Sequence, residues 1–216
     1  MLLDNKNIAA ALAVALLAAS AAFAGDNPSE IKQRIGAGDP VAGKEKSELC
    51  QGCHGEDGNS IMPIYPKLAG QWADYTQKQV RNFQSLSRIN ETMNEIALTV
   101  DDSQDLYDIA AYFASQKMMA GKPVQNEAGR KIYYEGIAGK GIFRCVKCHG
   151  ENGKGEPLNN NLFPVLGGQF KEYTIKQMKD FRSGFRENDH SGMMPRIASN
   201  MSDAEIEAVS EYLSGR

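Results

Sequence analysis

The amino-acid sequence predicts an all-α protein built from two tandem domains joined by a short linker. Three observations carry that expectation. A Cys-x-x-Cys-His motif occurs twice, over residues 50–54 and 145–149. The stretches that follow the two motifs repeat one another in order and spacing, the signature of a duplicated structural unit. Apolar residues recur at helical intervals, while strand-like alternation is nearly absent.

The 216-residue chain opens with Met-Leu-Leu-Asp-Asn-Lys-Asn and continues as an uncharged Ala/Leu/Val-rich run over residues 8–22. The run ends at Ala22-Phe23-Ala24, a small-x-small pattern, before polar Gly25-Asp26-Asn27-Pro28. That is the anatomy of a secretory signal peptide over residues 1–24. The run is short against the roughly 20 apolar residues of a bilayer span, so removal after Ala24 is expected over retention as an anchor. The remainder suits two small domains. Small domains bury too little surface to be robust alone, so a cofactor in each core would help. The expected division is 25–120 for the first domain, 121–124 for the linker and 125–216 for the second.

The two motifs read Cys50-Gln51-Gly52-Cys53-His54 and Cys145-Val146-Lys147-Cys148-His149. This spacing is that of covalent haem attachment. Two thiols one helical turn apart share a face and can form thioethers to two haem vinyl groups. The adjacent histidine then offers an imidazole to the iron. All four cysteines of the chain are used in this way. A four-cysteine zinc site or a dithiol redox pair is the rival reading, but neither needs a histidine after each second cysteine. Two covalently bound haem c groups are therefore expected.

The repeat continues past the motifs. Tyr65-Pro66-Lys67-Leu68-Ala69-Gly70-Gln71 matches Phe163-Pro164-Val165-Leu166-Gly167-Gly168-Gln169, and Asp74-Tyr75-Thr76-Gln77-Lys78-Gln79 matches Glu172-Tyr173-Thr174-Ile175-Lys176-Gln177. Phe83 matches Phe181, and Met93-Asn94-Glu95-Ile96-Ala97 matches Met194-Pro195-Arg196-Ile197-Ala198. Asp39 before Pro40 is a helix-start pair, and its helix is expected to run on to the cysteines. Residues 71–85 and 169–183 predict polar-rich helices anchored by Val80/Phe83 and Met178/Phe181. The last helix of the first repeat carries Leu106, Ile109, Ala110 and Phe113 at i, i+3, i+4 and i+7. Its counterpart carries Ile206, Val209 and Leu213 behind a capping box, Ser202-Asp203-Ala204-Glu205. Gly121-Lys122-Pro123 reads as the linker, and residues 135–143 as an insertion that the first repeat lacks.

A haem iron with one histidine still has an open face. Bis-histidine ligation at both irons is excluded by counting, because His190 is the single histidine outside the motifs. Methionine sulfur opposite histidine is the arrangement of electron-transfer haems and raises their potential. Of nine methionines, Met93 and Met194 hold matched places in the repeat, each in an M-x-x-I-A segment before the final helix. They are the expected second ligands, in loops able to fold over the iron. Met193, the neighbour that could replace Met194, aligns with Thr92. Met178 and Met201 fall at apolar, helix-like positions suited to core packing, and His190 reads as a solvated loop residue.

These residues together resemble the di-haem cytochromes c4. The likeness rests on the two Cys-x-x-Cys-His motifs, the P-x-L-x-G-Q segments followed by Tyr-Thr-x-Lys-Gln, and the two Met-x-x-Ile-Ala segments. It implies two tandem class I cytochrome c-like domains with haem edges facing across their interface. It also implies axial pairs His54/Met93 and His149/Met194, and periplasmic electron transfer towards a terminal oxidase. The cytochrome subunit of flavocytochrome c sulfide dehydrogenase has a similar layout, so a subunit of a larger oxidoreductase is the alternative. A di-haem enzyme would need an open iron with acid/base groups nearby.

Charge is unevenly spread. Residues 25–121 carry 9 Lys/Arg against 14 Asp/Glu, and residues 122–216 carry 14 against 12. Such a dipole can orient a protein towards redox partners, whose encounters use small interfaces. The acidic balance and the lack of a basic stripe argue against nucleic acid. Peripheral membrane association is compatible with this pattern.

Overall fold

The computed structural model describes residues 28–155 and 163–216; the expected signal segment lies outside them. The first repeat holds α1 (Pro28–Ile35), α2 (Pro40–Lys46), α3 (Glu48–His54), α4 (Ala73–Gln84), α5 (Glu91–Ala97) and α6 (Ser103–Ser115). The second holds α7 (Glu127–Glu135), α8 (Val146–His149), α9 (Lys171–Ser183), α10 (Met193–Ser199) and α11 (Asp203–Ser214). Among the described residues no strand forms. A single antiparallel bridge, Ile137 to Ile142, closes the insertion of the second repeat around a 3-10 turn, Ala138–Lys140.

Asp39 starts α2 as its sequence predicts, its carboxylate accepting from Val41 N at 2.8 Å and Ala42 N at 3.4 Å. The helix does not run unbroken to the cysteines. It breaks at Ser47 (φ −93°, ψ 5°), a fully buried residue. There Lys44 O accepts from Ser47 Oγ (3.0 Å) and Gln51 Nε2 (2.7 Å), a side-chain competition that bends helices.

In each repeat the first main helix crosses the last, α2 over α6 and α7 over α11. Gly43 and Gly129 mark the two crossings. A Cβ at Gly43 would stand 1.9 Å from Asp108 O, and one at Gly129 2.0 Å from Ala208 O, so a side chain at either would push the helices apart. The predicted apolar faces are buried: Leu106, Ile109, Ala110 and Phe113 on α6, and Ile206, Val209 and Leu213 on α11. Both halves of the capping box before α11 form. Met178 is buried on α9, whereas Met201 is buried in the turn between α10 and α11 rather than on a helix.

The stretch between α6 and α7 is non-helical but firmly held. Met119 is fully buried against Ala69, Trp72 and Val165, which come from both repeats. Lys67 Nζ donates to Ala120 O (3.2 Å) and Gly168 O (2.8 Å), and Lys154 Nζ to Met119 O (2.6 Å) and Gly167 O (3.1 Å).

The two repeats meet through a reciprocal, pseudo-two-fold set of hydrogen bonds. Gln71 donates to Val165 O (3.0 Å) and accepts from Val165 N (2.9 Å). Gln169 donates to Lys67 O (2.9 Å) and accepts from Lys67 N (3.0 Å). Because Gln71 aligns with Gln169 and Lys67 with Val165, each repeat presents the same patch to the other, as in an isologous dimer.

Candidate haem-binding sites

His54 ends α3 and His149 ends α8, and both rings are buried. His54 Nδ1 lies 2.7 Å from Pro66 O and His149 Nδ1 3.0 Å from Pro164 O. A carbonyl oxygen can only accept, so Nδ1 carries the hydrogen in both rings. That leaves each Nε2 with a free lone pair, the form a metal takes up. Burial holds both imidazoles below the ordinary histidine range, against the opposing carbonyl bond, so both are neutral donors. The chain then leaves each helix through a glycine, Gly55 (φ 86°, ψ 151°) or Gly150 (φ 72°, ψ 176°), a conformation essentially confined to glycine.

Cys50 packs against the cluster of Ile109, Tyr112 and Phe113, and Cys145 against the larger core of the second repeat. Burial pushes the Cys50 thiol up, and the Cys145 thiol up to about 12. Among the described residues no three His, Cys, Asp or Glu side chains gather to hold a metal ion. The geometry therefore suits thioether formation over a zinc site.

Met93 and Met194 do not sit in loops. Met93 lies in the first turn of α5 and Met194 in the first turn of α10. A polar side chain holds the backbone N–H of each methionine, Asn90 as the N-cap of α5 and Asp189 from ahead of the 3-10 turn that leads into α10. Asn90 Oδ1 accepts from Met93 N at 3.0 Å, and Asp189 Oδ2 accepts from Met194 N at 2.8 Å. Met194 is half-buried and packs on the core that also holds Cys145, while Met193 is exposed. His190 is exposed on a 3-10 turn, His190–Gly192. In the first repeat α6 packs on both α2 and α4, with α3 following α2 and α5 packed on α4. In the second, α11 packs on α7 and α9, and α9 on α10. One long helix in each repeat thus joins the cysteine-bearing half to the methionine-bearing half.

Most of the exposed large apolar side chains lie near these residues in sequence, Val41 on α2 being an exception. Ile61, Met62 and Ile64 follow the first motif, with Ile61 93% exposed. Leu86, Ile89 and Leu98 flank Met93, Phe143 precedes Cys145, and Phe185 precedes Met194. Exposed apolar side chains around both motifs and both methionines fit an apolar partner, and a porphyrin is large, flat and apolar enough to be one. When bound, haem iron supplies reversible one-electron chemistry.

Sequence reasoning missed a polar cluster at the junction of the repeats. Arg88 donates to Gln79 Oε1 (2.7 Å), Tyr173 OH (3.0 Å) and Gln177 Oε1 (2.7 Å). Arg186 donates to Gln177 Oε1 (2.7 Å), Tyr75 OH (3.1 Å) and Gln79 Oε1 (3.4 Å). Both guanidiniums are buried. Burial pushes the Tyr75 phenol up, but the Arg186 and Arg88 charges and the Arg186 bond outweigh it and bring Tyr75 below its ordinary value. The signal was present in the sequence: Tyr75/Tyr173, Gln79/Gln177 and Arg88/Arg186 keep one constant offset.

Two helical units, each with a buried Cys-x-x-Cys-His histidine and a methionine in the first turn of a short helix, define a two-domain c-type cytochrome. Comparison with known proteins gives the particular kind. The Cytochrome c family profile matches residues 127–216. Cytochrome c4 of Thiocapsa roseopersicina is 42% identical over 182 residues, 82% of this chain and 93% of that one. The crystal structure of reduced recombinant cytochrome c4 from Pseudomonas stutzeri superposes with a TM-score of 0.77 at 41% identity, over 83% of this chain and 99% of that one. A thiosulfate dehydrogenase electron acceptor of Stutzerimonas stutzeri is 34% identical over 76% of this chain and 77% of that one. The chain belongs to the cytochrome c4 family. It is an electron-transfer cytochrome with two covalently bound haem c groups.

Proposed function

We propose that this protein is a periplasmic electron carrier, not an enzyme, exchanging one electron per haem and delivering electrons towards a terminal oxidase. Cys50 and Cys53 hold one haem and Cys145 and Cys148 the other, with His54/Met93 and His149/Met194 as the axial pairs. Residues 25–120 and 125–216 form the two domains, with 121–124 between them. The supporting observation is the matched site in both repeats: a neutral histidine with Nδ1 committed to a carbonyl, and a methionine whose N–H is capped. An iron with six ligands has no position for a substrate, which leaves electron exchange as its reaction. Export through a cleaved leader accounts for the periplasmic setting, and among the described residues no helix is long and apolar enough to cross a membrane.

A second reading has its own support. The thiosulfate dehydrogenase electron acceptor among the relatives favours service to a sulfur-oxidising oxidoreductase, as a cytochrome partner or subunit. Co-purification with a larger complex would separate this from a free carrier.

The test is the visible spectrum of the holoprotein, oxidised and reduced, with and without carbon monoxide. A far-red band of methionine sulfur on ferric haem is expected in the oxidised protein, and a spectrum that carbon monoxide leaves unmoved is expected in the reduced protein. Met93→Ala and Met194→Ala should each remove about half the band, as ligand loss at one of two irons requires, and Met193→Ala should leave it intact. A high-spin spectrum, or a carbon monoxide shift in half the haem, would overturn the carrier reading.

A further inference from the structure

The two methionine helices start on different chemistry. Asn90, a neutral amide, caps Met93; Asp189, a carboxylate, caps Met194. The second oxygen of Asp189, Oδ1, is buried without a hydrogen-bond partner. Among the described residues no ammonium or guanidinium lies within ion-pairing distance of it. Burial lowers the pKa of the Lys78 ammonium of α4 most, the Arg186 and Arg88 charges lower it further, and the Asp189 charge opposes them; Lys78 spends its own ammonium on Asn188 O and Asn82 Oδ1. A buried carboxylate oxygen with no cation in ion-pairing distance acts through a low-dielectric path, where charge is felt most strongly. Surface charges of the same domain are screened by salt within about 8–10 Å.

We propose that Asp189 is a positioning and tuning residue for the second haem: it fixes Met194 and, by its negative charge, lowers the potential of that iron relative to a site capped by asparagine. An iron that loses an electron gains a positive charge, so a nearby carboxylate stabilises the oxidised state. Asn90 holds Met93 by the same bond without that field. The inference rests on Met93 and Met194 being the ligands.

The experiment is a spectroelectrochemical titration of the two-haem holoprotein with Asp189→Asn and, separately, Asn90→Asp. Both substitutions keep the capping oxygen, so the folds should survive. Asp189→Asn should raise one of the two one-electron steps by about tenfold in its equilibrium constant, about 59 mV. Asn90→Asp should lower the other step by a similar amount. With the far-red sulfur band intact, unmoved steps or equal movement of both steps would overturn the proposal. Absence of that band from the wild-type protein would instead defeat the ligand reading beneath it.

Discussion

Single residues do two kinds of work in this protein. The histidines proposed as ligands, His54 and His149, stand out in the sequence because haem attachment places a histidine directly after the second cysteine. Their orientation does not, since it depends on Pro66 O and Pro164 O, which only the folded chain brings near. Lys154 was invisible for the same reason. Nothing in its neighbourhood along the chain says that its ammonium will be tucked against Met119 O and Gly167 O. Burial there, with Lys67 adding repulsion, brings its pKa down to about 8. Below about 8 the group is charged in both folded and unfolded chains, and the cost of burying it is fully present. Between about 8 and the ordinary 10.5 the folded chain releases its proton first, so the unfolded chain binds more protons and stability rises with pH. Chemical unfolding of wild type and Lys154→Met at a series of pH values should show a gain over that window in the wild type that the variant lacks. Parallel pH profiles for the two proteins would count against it.

At the scale of elements, the apolar spacing of α6 and α11 marked their buried faces, because period and burial are the same fact. Asp39, Ser202 and Glu205 marked helix starts by their own hydrogen-bonding chemistry. The break at Ser47 and the helical setting of Met93 and Met194 were missed. Each turns on a side chain that bonds a backbone group three or more positions away, which hydrophobic patterning does not register. The crossings at Gly43 and Gly129 escaped for a related reason: a glycine in a helix announces a loss of propensity, about 1 kcal/mol, and not what lies above it. Here a carbonyl lies above it, at 1.9 Å and 2.0 Å from the absent Cβ. Gly43→Ala and Gly129→Ala should each destabilise the protein by about 1–3 kcal/mol or more, the range for overpacking a close contact, despite alanine's better helix propensity. Thermal melting of the holoproteins tests this. A rise in melting temperature for either variant would show that the helices can part without cost.

Across the whole molecule, the duplication that sequence comparison reveals as a repeat is realised as a symmetric contact. Gln71 and Gln169 each grip the other repeat's backbone through both N–H and C=O. Arg88 and Arg186 each bridge a glutamine of their own repeat to a tyrosine and a glutamine of the other. The guanidiniums are buried among neutral acceptors, an arrangement that is costly to leave half made. Hydrogen bonds to charged groups contribute about 1.5–3 kcal/mol each, set against the cost of burying two like charges, so the cluster holds the junction together with the apolar residues Ala69, Trp72, Met119 and Val165. It also explains why a chain with the length of two small domains can behave as one cooperative body rather than as two units on a tether, the default for domains joined by a modest polar interface. Calorimetry of the holoprotein should therefore give a single transition whose calorimetric and van't Hoff enthalpies agree. In the Arg88→Met/Arg186→Met double variant, which keeps an unbranched apolar stem but removes both guanidiniums, the transition should split into two, with the far-red sulfur band of the folded protein retained. A double variant that still melts in one transition at the wild-type temperature would place the coupling in the glutamine pairs and the buried stretch around Met119 instead.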